Sequence, residues 1–142
     1  MSMSSDERPG TVLTDAECWK LLEHCEHGRL ALSVADQPDI YPINFIARDG
    51  KLLMRTNPGT KVAELTVNRR VAFEADGISS AEAWSVVVKG TARVLETQAE
   101  TDAADELPLR PWIPTLKYTY VELAPDQVIG RHFVLGNEPD RY

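Results

Sequence analysis

The stretch RTNPGTKVAEL, Arg55 to Leu65, gathers the residue types best suited to hold an anion. Asn57-Pro58-Gly59 has the composition of a turn, and the pattern after it predicts a short helix capped by Thr60 and beginning at Lys61. A helix N-terminus carries partial positive charge, so an exposed lysine there is disfavoured by roughly a few tenths of a kcal/mol. An oxyanion between them would reverse that sign. Backbone N–H groups, a threonine hydroxyl and an ammonium would then converge on one spot, as a phosphate requires. Spacing alone also admits a plainer arrangement, in which Thr60 only caps and Lys61 points into solvent. GTK is not a P-loop, which needs a longer glycine-rich run before its lysine.

Other reactive residues are few. The chain holds three histidines and two cysteines, and no nucleophile, histidine and acid stand in a pattern that suggests covalent catalysis. His24, Cys25 and His27 are close in sequence, but a metal site needs more ligands in a suitable geometry, and no metal is expected. Cys18 and Cys25 recur with Leu21 and Leu22 at helical spacing, so they belong to an apolar face. Seven residues of helix put about 10 Å between their Cα atoms, which is too far for a disulfide.

The elements that must position these residues can be read in order. LTDAECWKLLEHC opens with Thr14 as N-cap and Glu17 three residues on, a capping box, and Gly28 offers a stop to that helix. RLALSVA then alternates as a strand. DIYPINFIARDGKLLMRT reads as two strands about Asp49-Gly50, a dipeptide suited to a tight hairpin. Tyr41, Ile43, Phe45 and Ala47 share one face of the first, and Pro42, which lacks an N–H, predicts an edge or a bulge there. After the helix TKVAELTVN come the strands RRVAFEADG and AWSVVVKGTARVLE, the acidic helix TQAETDAADEL, the loop LPLRPWIP and a last strand, KYTYVELAPDQVIGRHF. Short hairpin links favour an antiparallel sheet, and a sheet of this size tends to close. The expected class is α+β, in one domain over 13–142 behind a disordered lead, 1–12.

Bulk properties narrow the functions. At 142 residues, 43% hydrophobic and 26% charged, the chain can bury a single core. A net charge of −7 argues against nonspecific nucleic-acid binding and against docking on anionic membranes. No apolar run approaches a membrane span, and MSMSSDERPG lacks the apolar centre of a signal peptide, so the expected location is the cytoplasm.

The ordered set GRLALS, PINFIARDGKLLMRTNPGTKVAEL, VNRRVAFEAD, WSVVVKGTARV and VIGRHF resembles the flavin-binding split-barrel family related to pyridoxamine 5′-phosphate oxidase, especially its small nitroimidazole-reductase-like branch. The resemblance runs from about Leu13 to Phe133. It implies an antiparallel six-stranded split β-barrel with flanking helices, forming a homodimer with FMN in a groove between subunits. Backbone groups around Ile43, Asn44 and Phe45 would meet the flavin ring, and Arg55 and Thr56 would approach the ribityl phosphate. Thr60 and Lys61 would hold that phosphate, and Trp84 and Ser85 would close the site, from the partner subunit in one arrangement. Each has a plain alternative: Phe45 as a core aromatic, Asn44 as a partner for the edge left by Pro42, Trp84 as interface packing and Arg55 as a carboxylate's partner. Pyridoxamine phosphate oxidases are longer and carry a substrate-binding Arg/His segment near the C-terminus. Here little sequence follows Arg131-His132, which argues against vitamin oxidation.

A flavin would supply the chemistry, accepting hydride and passing it to a small organic acceptor such as a nitro compound or a quinone. Two alternatives stay open. Related barrels bind a deazaflavin (F-420) in place of FMN, and Arg69, Arg70 or Arg131 would serve its acidic tail. The second alternative belongs to another class: a flavin- or haem-binding module without turnover, acting as a carrier or sensor.

Overall fold

The computed structural model describes residues 10–109 and 118–136. Helix α1, Asp15–Glu23, starts with the expected capping box: the Glu17 N–H donates to Thr14 Oγ1 and the Thr14 N–H to Glu17 Oε1. Its apolar face puts Cys18 and Leu22 in the core, and both cysteines are free. The helix ends at His24, and Gly28 is not its stop. Gly28 lies within strand β2, His27–Val34, where a Cβ would sit 2.4 Å from the Glu74 carbonyl oxygen and 2.4 Å from the Phe73 ring. Close strand packing, rather than helix termination, requires the glycine there.

Two tight hairpins follow. Strand β3, Gln37–Arg48, returns from β2 through Ala35-Asp36, and β4, Lys51–Thr56, returns from β3 through Asp49-Gly50. All four turn residues have positive φ, the backbone that matches the right-handed twist of the flanking strands. Asp49-Gly50 is the legible case; Ala35 takes the same conformation without a residue type that announces it. Helix α2, Thr60–Val67, leads to β5, Arg70–Ile78, and β6, Glu82–Val94; helix α3, Gln98–Asp105, precedes β7, Thr119–Val134.

Six antiparallel strands close in the order β7-β4-β3-β2-β5-β6, with β6 pairing back onto β7. A seventh, β1, Thr11–Val12, pairs with Arg131 and His132 at the end of β7. These two residues fell in the expected lead; ladder hydrogen bonds to β7 order them. Residues 1–9, and most of the loop LPLRPWIP, lie outside the described residues.

Closure depends on β7, which pairs with β4 over Thr119–Leu123, with β6 as well from Val121, and then continues along β6 alone. The change coincides with a register shift between Lys89 and Gly90, where a Cβ on Gly90 would lie 2.1 Å from the Ala124 carbonyl oxygen. Inside the barrel Leu30, Phe45, Met54, Phe73, Val86 and Leu123 are buried, with α1 and Leu65 of α2 covering them. On the outer face, Ala104 of α3 packs with Leu109 and Tyr120 as a second, smaller cluster.

The barrel is incompletely laced. Strand β3 pairs with β2 from Gln37 to Asn44 but with β4 only from Phe45 to Arg48. Beyond Phe45–Met54 the β3–β4 ladder stops, so Pro42 lies at an edge on its β4 side, as its missing N–H predicts.

Candidate functional site

The place where β3 and β4 part is the candidate site. Alternation along β4 sends Thr56 toward the barrel end and Arg55 to the outer face, and Asn44 faces outward from β3. Inside the rim, Lys61 Nζ donates to Thr56 Oγ1 at 3.0 Å and lies 4.8 Å from the centroid of the Tyr41 ring. Tyr41 in turn donates its hydroxyl to Glu64 Oε1 at 2.8 Å. Burial pushes the Lys61 ammonium below the usual lysine range. Lys61 forms no ion pair among the described residues.

Outside the rim, the Arg55 guanidinium lies 3.8 Å over the Tyr118 ring. Tyr118 and Tyr120 both donate to Asp105 Oδ1, at 2.8 and 2.7 Å, and these bonds hold that carboxyl below its ordinary range. Arg55 Nε is buried without a hydrogen-bond partner among the described residues. Next to Asn44, a cleft of ≈ 380 Å³ opens between Glu26, Phe45, Pro108 and Leu109. A half-buried ammonium without an ion pair among the described residues and a buried guanidinium N–H without a hydrogen-bond partner among them thus lie on opposite faces at the end of β4. Each cation could accept an anion from its own side, and the β3–β4 ladder is interrupted beside Ile43 and Asn44.

The predicted residues divide accordingly. Thr56 and Lys61 come together at the end of β4, Arg55 lies on the opposite face of that strand, and Asn44 faces outward from β3 where its pairing with β4 has stopped. Thr60 is not the cap: Gly59 occupies that position without a side-chain hydrogen bond, and Thr60 is the first helical residue, exposed. Gly59 is extended there, and its carbonyl accepts from the Ala63 N–H at 3.0 Å, which starts the helix one residue early. The Ile43 and Phe45 side chains are core, Phe45 meeting Phe73 edge-on at 4.6 Å. The Phe45 N–H donates to the Glu26 carbonyl at 3.0 Å, so this donor is already engaged.

Trp84 and Ser85 stand elsewhere. Along β7, Thr56 pairs with Thr119 whereas Trp84 pairs with His132; that separation corresponds to about 40 Å of strand contour. Trp84 packs its indole over Gly77. The three basic residues considered for an acidic tail are not gathered either. Arg70 donates to Asp126 at 2.6 Å on the outer face, Arg69 is exposed beyond the C-terminal end of α2, and Arg131 is buried between Val12 and Ser85. Tyr41, Glu64, Tyr118 and Asp105 were missed as site residues. They come from β3, α2, the residue just before β7, and α3, and none carries a local motif.

Comparison with known proteins places this geometry. The family model described as pyridoxamine 5′-phosphate oxidase matches residues 14–132. The chain belongs to the pyridoxamine 5′-phosphate oxidase family. It is 39% identical to a Corynebacterium glutamicum protein assigned provisionally as a pyridoxamine 5′-phosphate oxidase, with a TM-score of 0.82 over 92% of this chain and 98% of that one. It is 36% identical to the FAD binding protein of Mycobacterium smegmatis, with a TM-score of 0.75 over 88% and 99% of the two chains. An uncharacterized protein of Mycobacterium tuberculosis is 46% identical over 90 residues, 63% of this chain and 82% of that one. The fold and strand order of this family member agree with the split barrel expected from its sequence. No helix among the described residues is long and apolar enough to cross a membrane.

Proposed function

We propose that this protein is a flavin-dependent oxidoreductase that binds FMN at the β3–β4 opening, works as a homodimer and reduces a small organic acceptor, a nitro compound or a quinone. The observation that carries this reading is the Lys61 ammonium, half-buried beside Thr56 and Tyr41 without an ion pair among the described residues. Isolated buried cations are costly unless a counter-charge arrives, and a flavin phosphate supplies one. The buried Arg55 N–H adds a second donor on the other side of the same strand. The M. smegmatis relative supports a flavin and gives reason to test FAD beside FMN, since both carry a phosphate at the ribityl end.

A bound flavin supplies hydride acceptance and donation. The chain's residues do the holding. Lys61 would neutralise the phosphate, Arg55 would offer a second cation from the outer face of the same strand, and the β3 backbone at Ile43 and Asn44 would line the opening. Tyr41, its hydroxyl pushed up to about 12 chiefly by the bond to Glu64, keeps its proton at neutral pH. The proton for a reduced acceptor would come from water. Trp84 and Ser85 would reach the ring from a second copy. Ile78 and Val134 at that end are 81% and 83% exposed, consistent with an apolar surface that a partner covers.

The test is titration of the apo-protein with FMN, FAD and the deazaflavin, followed by anaerobic turnover of nitro and quinone acceptors with a chemical reductant. Tight FMN binding with acceptor consumption is the expected result. Binding without turnover would make it a carrier, and preference for the deazaflavin would keep the fold and replace the cofactor.

A further inference from the structure

Lys61 and Glu64 stand three residues apart on α2, the spacing at which opposite charges on a helix meet. They do not pair. Glu64 Oε1 accepts from the Tyr41 hydroxyl at 2.8 Å, and Lys61 Nζ turns to Thr56 Oγ1 at 3.0 Å with the Tyr41 ring 4.8 Å away. One residue of β3 thus holds both members of a potential ion pair apart, the carboxylate by its hydroxyl and the ammonium by its ring face. We propose that Tyr41 is a specificity-determining positioning residue: it sequesters Glu64 so that the charge of Lys61 stays available to a phosphate ester.

The physical consequence is selective. If Glu64 closed on Lys61, it would compete with the phosphate for the same ammonium protons and add a negative charge beside it. A flavin lacking the phosphate would not sense the change. Tyr41 therefore sets the preference for phosphorylated over unphosphorylated flavins, rather than flavin binding in general. Its hydroxyl remains a donor at neutral pH, since the bond to Glu64 pushes it up to about 12.

This inference rests on Lys61 as the phosphate ligand, and the experiment separates the two. Full-length apo-protein is titrated with FMN and with riboflavin, following flavin fluorescence, for wild type, Tyr41→Phe, Tyr41→Phe/Glu64→Gln and Lys61→Ala. Tyr41→Phe keeps the ring and removes the restraint on Glu64. It should weaken FMN about threefold to tenfold and leave riboflavin within about twofold. Adding Glu64→Gln should restore FMN affinity, because the competing carboxylate is gone. Equal weakening of both ligands by Tyr41→Phe, no weakening of FMN, or no rescue by Glu64→Gln would each overturn the role of Tyr41. If Lys61→Ala weakens FMN relative to riboflavin while Tyr41→Phe does not, only Tyr41 loses its role. If Lys61→Ala has no such effect, the phosphate reading fails and the inference with it.

Discussion

Replacing Lys61 by alanine addresses the core of the site. The ammonium is already positioned by Thr56 Oγ1 and the Tyr41 ring, so little ordering remains to oppose ligand binding. Removing one charged hydrogen bond costs about 1.5–3 kcal/mol, which is about 10- to 150-fold in Kd. The stability of the apo-protein should move much less. The variant loses a hydroxyl contact and a cation–π contact, together about 1–2 kcal/mol, but it also removes a cation whose burial opposes the charged form. These effects oppose one another, and the melting temperature should stay close to wild type. Fluorescence titration with FMN at two ionic strengths, beside thermal unfolding of the apo forms, measures both quantities. A Kd within about twofold of wild type, in a variant that melts normally, would refute the assignment. The pH dependence follows from the same burial. Lys61 binds phosphate only as a cation, and burial lowers its pKa. Its contribution is lost on the alkaline side, starting below the ordinary lysine value of about 10.4.

Other parts of the molecule give further tests. Gly28→Ala drives a methyl toward the Glu74 carbonyl and the Phe73 ring, and should destabilise by about 1–3 kcal/mol or more in urea unfolding. Phe73→Ala empties a fully buried aromatic site that also meets Phe45, for a loss of about 3–5 kcal/mol in the same assay. Glu100 is held at about 2, chiefly by its hydrogen bond from Arg93. Its folded pKa is depressed, so it stabilises above the unfolded carboxylate value of about 4.3 and loses that effect as pH falls toward the folded one. Glu100→Gln should therefore flatten the acid limb of a stability–pH curve, and an unchanged limb would contradict the pairing. Ile78→Asp introduces a charge beside the Trp84 end and should shift a dimer toward monomer in light scattering; an unchanged mass would remove that surface from the interface.

Local signals in the sequence carry most of the elements. The α1 capping box, the Asp49-Gly50 hairpin, the alternation along β2 and the edge position of Pro42 depend on neighbours within a few residues, so their residue types announce them. Local legibility has limits. Gly28 looks like a helix stop because glycine often is one, and only the arrival of Phe73 and Glu74 from a distant strand shows why no side chain fits. Thr60 has the right chemistry for a cap, yet the extended Gly59 preceding it starts the helix one residue sooner.

For the site, the sequence by itself determined that a phosphate-suited lysine follows a turn after an arginine-bearing strand. The tertiary structure decided which neighbours accompany it. Tyr41 lies 20 positions before Lys61, and Tyr118 lies 63 positions after Arg55; they meet because β3, β4 and β7 share one wall of the barrel. Trp84, which the family resemblance set beside the same ligand, stands at the other end of β7 in its own chain. Side-chain chemistry is a property of a residue and can be read in one dimension. Whether a charge finds a partner depends on strand pairing and burial across the whole sheet, and at Lys61 that pairing supplies a hydroxyl and a ring face but no carboxylate among the described residues.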